Sequence, residues 1–276
     1  MLKLLACALP SIGFLLMRES GLLAYVLPEL DAAFGVGQNR FHADDVAMHT
    51  LLCVDALHPR YPFYRWVTLL HDLGKVPCKL YKPEKGDYVF YSHQYASKRM
   101  GKRIMRRLRF SNKEIDTAAS IVENHMYNLK PGLSEGAIRR FVRRLGRDRV
   151  EGFLRMRLAD RRGNRFNDAS FERGVFHFVR TLRKIDRDEN ALTVRNLKIS
   201  GYDLIEMGLP PGPLFSQILD HLLELVLDDP ELNQREGLLG HVRAFVEEFR
   251  RTGAITIPPT SSPSREEEEA EEAENE

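Results

Sequence analysis

Trp66-Val67-Thr68-Leu69-Leu70-His71-Asp72-Leu73-Gly74-Lys75 decides how the rest of this chain is read. An apolar helical run carries a histidine and an aspartate at its end, where Gly74 and Pro77 stop it: glycine tolerates a left-handed cap and proline cannot continue the hydrogen-bond ladder. Neighbouring side chains on a helix point about 100° apart, so both reach one cation only where another helix crosses and supplies further donors. An adjacent His-Asp pair alone is a weak signal. The question is whether those donors exist.

His49 lies on the preceding predicted helix, in Val46-Ala47-Met48-His49-Thr50-Leu51-Leu52, where apolar neighbours turn it inward. His93, His125 and Asp160 follow, each on or beside a predicted helix. Imidazoles and carboxylates form an N/O donor set that suits Mn, Ni, Co, Fe, Zn or Mg. Six donors exceed what one catalytic ion needs and suffice for two, with Asp72 as a bridge; paired ions about 3.5–4 Å apart can clamp a phosphoryl group while one lowers the pKa of the attacking water. One ion or two stays open. His42 is read as a neighbour of this site or as part of a helix start, and His58, His177, His221 and His241 lack a partner pattern and are read as structural.

Working outward, helical periodicity dominates and strand-like alternation is nearly absent, so the expected class is all-α. Helices are expected near 2–17, 43–57, 62–72, 93–109, 112–126, 134–145, 148–161, 168–186, 201–207, 213–228 and 235–250. Ser111 with Glu114 three residues later forms a capping box that opens one of them. Lys82 to Tyr91 is expected as a loop with a short hairpin, and Leu209-Pro210-Pro211-Gly212-Pro213 as a stiff turn. The expected organisation is an N-terminal helical segment (1–38) packed on the body, a metal-binding domain (39–163), a smaller helical C-terminal domain (164–257) and an acidic disordered tail (258–276).

The chain has 276 residues and three cysteines, Cys7, Cys53 and Cys78, none in a C-x-x-C pair, so neither a disulfide framework nor a thiolate zinc site is suggested. A reducing cytoplasm fits. Met1 to Met17 is apolar but Pro10 interrupts it, it falls short of a bilayer span, and no A-x-A-type site follows, so a helix packed on the body is preferred to a membrane anchor. Net charge is +2, but eight glutamates in 266–276 mask a charge of +10 in the remainder. Two basic helices stand out, Lys98-Arg99-Lys102-Arg103-Arg106-Arg107 and Arg139-Arg140-Arg143-Arg144-Arg147. Stripes of this kind are solvated faces or sites for RNA phosphates. The acidic tail is read as a solubilising extension, or as a competitor of RNA for those stripes.

The order His, His-Asp, His, His, Asp resembles the HD superfamily of metal-dependent phosphohydrolases in its binuclear form. That resemblance implies metal ligation by His49, His71, Asp72, His93, His125 and Asp160, a catalytic role for Asp72, and a phosphate-facing Lys75. Arg18-Glu19-Ser20-Gly21-Leu22-Leu23, Leu27-Pro28-Glu29-Leu30, Gln38-Asn39-Arg40-Phe41-His42 and Ile199-Ser200-Gly201-Tyr202-Asp203-Leu204 look like the body of bacterial CCA-adding tRNA nucleotidyltransferases and poly(A) polymerases that carry an HD domain. The nucleotidyltransferase head, with its Gly-Ser motif and Asp-x-Asp pair, has no counterpart here; Asp186-Arg187-Asp188 is a poor substitute. Ser92-His93-Gln94 stands where the family commonly has Gly-His-Glu. The resemblance implies hydrolysis of a nucleotide or RNA phosphoester, such as a 2′,3′-cyclic phosphate or a 2′-nucleotide. The alternative is a tRNA-binding body that works with a separate head chain or with none.

Overall fold

The computed structural model describes residues 1–40, 42–164, 169–187 and 193–258. Phe41, Asp188 and all of the acidic tail beyond 258, with the expectation attached to it, lie outside these. Helices are α1 (Leu2–Leu5), α2 (Pro10–Glu19), α3 (Leu23–Val26), α4 (Pro28–Asp31), α5 (Val46–Ala56), α6 (Pro62–Leu70), α7 (Lys75–Cys78), α8 (His93–Arg107), α9 (Asn112–Glu123), α10 (Glu135–Leu145), α11 (Val150–Gly163), α12 (Ala169–Arg187), α13 (Gly201–Glu206), α14 (Leu214–Asp228) and α15 (Arg235–Thr252). The strands described are β1 (Leu80–Lys82) and β2 (Asp87–Val89), an antiparallel hairpin with Leu80 opposite Val89. The fold is all-α, as expected. None of the described helices is long and apolar enough to cross a membrane.

Several helix ends differ from the expected ones for local reasons. The helix expected over 2–17 is broken, because Leu9 stands before Pro10 and is pushed out of helical geometry (φ −124°, ψ 82°). Helix α6 stops at Leu70, which places His71 at its C-cap and Asp72 just beyond. Helix α9 stops at Glu123, so His125 sits after a helix end rather than within one. Short helices α3, α4 and α7 were not expected, each being a single turn around local caps and prolines.

The described residues form two compact units. The first holds residues 1–128 and 147–169, the second 129–146 and 170 onward. The boundary expected near residue 163 is therefore not where compactness divides the chain, since α10 groups with the C-terminal helices.

In the first unit, α8 packs along α9, and α11 lies against α5 and α6. Trp66 is fully buried and stacks on Phe110 with ring centroids 5.4 Å apart. Arg65, also fully buried, ties the start of the chain to this core. Its guanidinium donates to the backbone carbonyls of Leu57 (2.6 Å), Leu5 (2.7 Å), Cys7, Ala8 (3.2 Å) and Asp55 (3.5 Å). The second unit is built on an apolar core in which Leu204, Ile218, Leu222, Leu223, Leu227, Leu238 and Val242 are fully buried.

Candidate metal centre

Two glycines bring the helices of the first unit close enough to form a site. A Cβ at Gly163 would lie 2.3 Å from Cys53 Sγ and 2.7 Å from its backbone nitrogen, so only glycine lets the end of α11 meet α5 and set Asp160 beside His49. A Cβ at Gly74 would lie 2.3 Å from the His93 carbonyl oxygen, so the corner after Asp72 seats directly on the first turn of α8. Ser92, which caps α8, has φ 58°. That left-handed geometry costs an L-residue roughly 1–2 kcal/mol and explains why a glycine suits the position before His93.

The structure brings the six residues singled out from the sequence into one cluster. His49, His71, Asp72, His93 and His125 are each no more than 2% exposed, while the Asp160 side chain keeps 19% of its surface. The Asp72 carboxylate faces two ways. Its Oδ2 lies 3.3 Å from His71 Nε2 and 3.5 Å from His49 Nε2; its Oδ1 lies 3.4 Å from His93 Nε2 and 3.5 Å from His125 Nε2. Asp160 Oδ1 closes the first side, 3.2 Å from His49 Nε2 and 3.6 Å from His71 Nε2, and its other oxygen accepts from Arg157 at 2.8 Å.

Three histidines are aimed by the same device. Nδ1 of His71, His93 and His125 lies 2.6, 2.9 and 2.7 Å from the carbonyl oxygen three residues earlier, of Thr68, Phe90 and Val122. Donation from Nδ1–H to that carbonyl leaves Nε2 as the atom offered to the centre, which is how a backbone acceptor orients a metal-binding imidazole.

The charge balance of the cluster is strained without a cation. Burial opposes a charge on His71, but Asp72 and Asp160 outweigh it and lift its pKa to about 10. Burial also opposes the carboxylates, yet His71 and Lys75 hold Asp72 well below the usual range, and His49, His71 and Arg157 do the same for Asp160. Burial pulls His125 down to about 4 against the opposing effect of Asp72. His71 Nε2 and Asp72 Oδ1 are nonetheless buried with no hydrogen-bond partner among the described residues. Two orphaned atoms aimed into a nest of imidazoles and carboxylates fit a divalent cation. A cation there would have to displace a proton from His71 Nε2, so its uptake would release that proton.

Lys75 is at the site, 6% exposed, with its ammonium 2.8 Å from Asp72 Oδ2 and 2.8 Å from Gln38 Oε1. Two neighbours were not picked out in the sequence. One is Gln38; the other is Cys53, fully buried with Sγ 3.5 Å from His49 Nε2. The four-residue spacing from His49, one helical turn, was the signal available for Cys53. His42 stands edge-on to His49 with ring centroids 5.2 Å apart and Nδ1 2.8 Å from Asn39 Oδ1. Burial, with Lys75 and His49 nearby, lowers its pKa to about 3.

Residues 56–163 match the HD domain, a span that contains all the cluster residues except His49. Residues 1–34 match a second family model, the probable RNA and SrmB-binding site of polymerase A. An A-adding tRNA nucleotidyltransferase of Deinococcus radiodurans is 32% identical over 219 residues, 77% of this chain and 49% of that protein. A CC-adding tRNA nucleotidyltransferase of Thermus thermophilus is 29% identical over 252 residues, 88% of this chain and 54% of that protein. A multifunctional CCA protein of Halorhodospira halophila is 34% identical over 169 residues, 56% of this chain and 38% of that protein. The chain thus spans about half the length, or less, of the curated relatives it matches. It is an HD-domain protein, related through its HD and body region to the bacterial tRNA nucleotidyltransferases.

Proposed function

We propose that the first unit hydrolyses phosphoesters of nucleotides or RNA ends, with one or two divalent cations held by His49, His71, Asp72, His93, His125 and Asp160. The observation that carries this reading is the Asp72 carboxylate, whose two oxygens face two separate sets of imidazole nitrogens while one of them has no hydrogen-bond partner. Bound there, a cation supplies neutralisation of phosphoryl charge and activation of water.

The chain's own groups then have distinct tasks. The backbone carbonyls of Thr68, Phe90 and Val122 hold three imidazoles in register, and Arg157 holds Asp160. Asp72 stays ionised at neutral pH and unites the two sides. Lys75 is the cation that an incoming phosphoryl oxygen meets. Exchanging a carboxylate partner for a phosphoryl one keeps its ammonium paired, so the move is cheap. The resemblance to HD phosphohydrolases implies a 2′,3′-cyclic phosphate or a 2′-nucleotide, free or at an RNA end, as the substrate class.

The test is metal-dependent hydrolysis of 2′,3′-cyclic nucleotides and of a generic bis-ester, with Mn, Ni, Co and Mg, in the wild type and His71→Ala. Turnover that needs metal and vanishes in the variant supports the reading. Metal uptake without turnover on any ester moves the assignment to a second one: a tRNA-binding body that works with a separate nucleotidyltransferase head chain. The match of residues 1–34 to an RNA-binding family model favours that second reading, and so does the exposed arginine face of α8.

A further inference from the structure

The two sides of Asp72 are chemically unequal. On one side His93 and His125 complete a set of two nitrogens and one oxygen; on the other His49, His71 and Asp160 are joined by a sulphur. Cys53 follows His49 by one turn of α5 and is fully buried, with Sγ 3.5 Å from His49 Nε2 and 3.7 Å from the Asp160 backbone carbonyl. Donor atoms of His49, Cys53, His71 and Asp160 all lie within 4.8 Å of one another.

Those separations have the size of a coordination shell. An ion bound tetrahedrally at about 2.0–2.1 Å from nitrogen or oxygen and about 2.3 Å from sulphur has donor-to-donor edges of roughly 3.3–3.6 Å. Three of the six edges here are 3.5 Å (Cys53 to His49), 3.2 Å (His49 to Asp160) and 3.6 Å (His71 to Asp160), and the other three lie within 4.8 Å. His71 Nε2, buried and without a hydrogen bond, points into the same group. A cysteine serving only as a small apolar filler would account for burial. It would also account for the place one turn from His49, whose Nδ1 and Nε2 lie 3.8 and 3.5 Å from the sulphur, but would leave unexplained why the sulphur comes within 4.8 Å of the donor atoms of His71 and Asp160 as well.

We propose that Cys53 is a sulphur donor at the His49–His71–Asp160 position, which makes that position selective for a thiophilic divalent ion such as zinc, cobalt or iron. The Asp72–His93–His125 position, without sulphur, takes manganese or magnesium more readily. The proposal rests on the reading that the cluster holds metal, and adds a donor and a selectivity to it. As the sulphur–metal bond forms, the S–H bond breaks and its proton passes to the buffer; sulphur is neither oxidised nor reduced.

Cobalt is the probe. The full chain is stripped with a chelator and titrated with Co2+ while metal content and the optical spectrum are followed. Cys53→Ser and Cys53→Ala are compared with a Cys7→Ser/Cys78→Ser double variant that leaves Cys53 alone. Circular dichroism confirms that each is folded; Cys53→Ala serves where a buried hydroxyl prevents folding. The wild type and the double variant should show a near-ultraviolet sulphur-to-cobalt charge-transfer band beside the visible cobalt bands. Both Cys53 variants should keep the visible bands, lose the near-ultraviolet one, and bind cobalt about tenfold or more weakly. Visible bands in the wild type without the charge-transfer band overturn the proposal while the metal cluster stands, as does a charge-transfer band that survives loss of Cys53. Failure to retain cobalt at all removes the metal reading and the Cys53 proposal together.

Discussion

The first unit closes around a cluster of imidazoles and carboxylates, and the second closes around Leu204, Ile218, Leu222, Leu223 and Val242. Their arginine-rich helices differ in the opposite sense. On α8, Lys98, Lys102 and Arg107 pair with Glu123, Asp116 and Glu29, but Arg99, Arg103 and Arg106 are exposed on one face without an ion pair among the described residues. On α10, Arg139 is buried against Glu135, Arg140 pairs with Asp228, and Arg143 bridges Asp220 and Glu224. Thus the first unit buries a charge cluster and offers arginines to solvent, whereas the second is built on an apolar core and pairs three arginines, the buried Arg139 among them, with its own acids. A buried charge cluster is costly unless something balances it, while an apolar core is self-sufficient. The first unit therefore carries the buried charges that need a balancing partner, and the second the core that needs none.

The largest effect should come from Asp72→Ala, which removes the group shared by both sides of the cluster. Metal content should fall to background and ester hydrolysis with it, as read by elemental analysis and turnover; unchanged metal content would break the contrast between the units. Next is Leu222→Ala, which opens a void in the second core and should cost about 2–5 kcal/mol in denaturant unfolding. Metal uptake by the folded variant should not change, and a parallel loss would mean that the units do not act separately.

A smaller effect separates the two basic helices. Alanine at Arg99, Arg103 and Arg106 together should weaken tRNA binding and lower the slope of log affinity against log salt by about 2–3. Alanine at Arg140 and Arg143 should leave that slope unchanged and reduce the stability of the second unit instead. The smallest effect is at the capping box of α9, where Ser111→Ala should cost about 1 kcal/mol at neutral pH. Hydrogen bonds from Ser111 hold the Glu114 carboxyl below its usual range. Its contribution is therefore present above the ordinary glutamate range and lost as pH falls through the lowered value, so the cost of Ser111→Ala should shrink on acidification.

Much of this was legible in the sequence because its signals are local or ordered. The apolar run into His71-Asp72, the stop at Gly74 and the succession His49, His93, His125, Asp160 were enough to expect a helical bundle with one shared cluster. The α10 stripe was less legible: Glu135 lies within the helix, but the acids that neutralise Arg140 and Arg143, namely Asp220, Glu224 and Asp228, lie far along the chain. The same applies to Gln38 on Lys75, which only tertiary folding brings together. Disulfide and C-x-x-C patterns do not contain the one-turn relation of Cys53 to His49, which is legible only from helical spacing. The division between units was obscured because the chain leaves the first unit after Asn128 and returns at Arg147, an excursion that no change of composition marks.

The guanidinium of Arg65 has a consequence for cooperativity. Its hydrogen bonds reach the carbonyls of Leu5, Cys7 and Ala8 from a fully buried position on the helix that leads into His71. Peeling those residues away would cost the guanidinium three of its five carbonyl acceptors, each worth roughly 1.5–3 kcal/mol as a hydrogen bond to a charged group. Residues 5–8, within the segment that matches the RNA-binding model, are therefore held by the helix that leads into His71. Their order is thereby coupled to that of the helix that leads into the His-Asp pair.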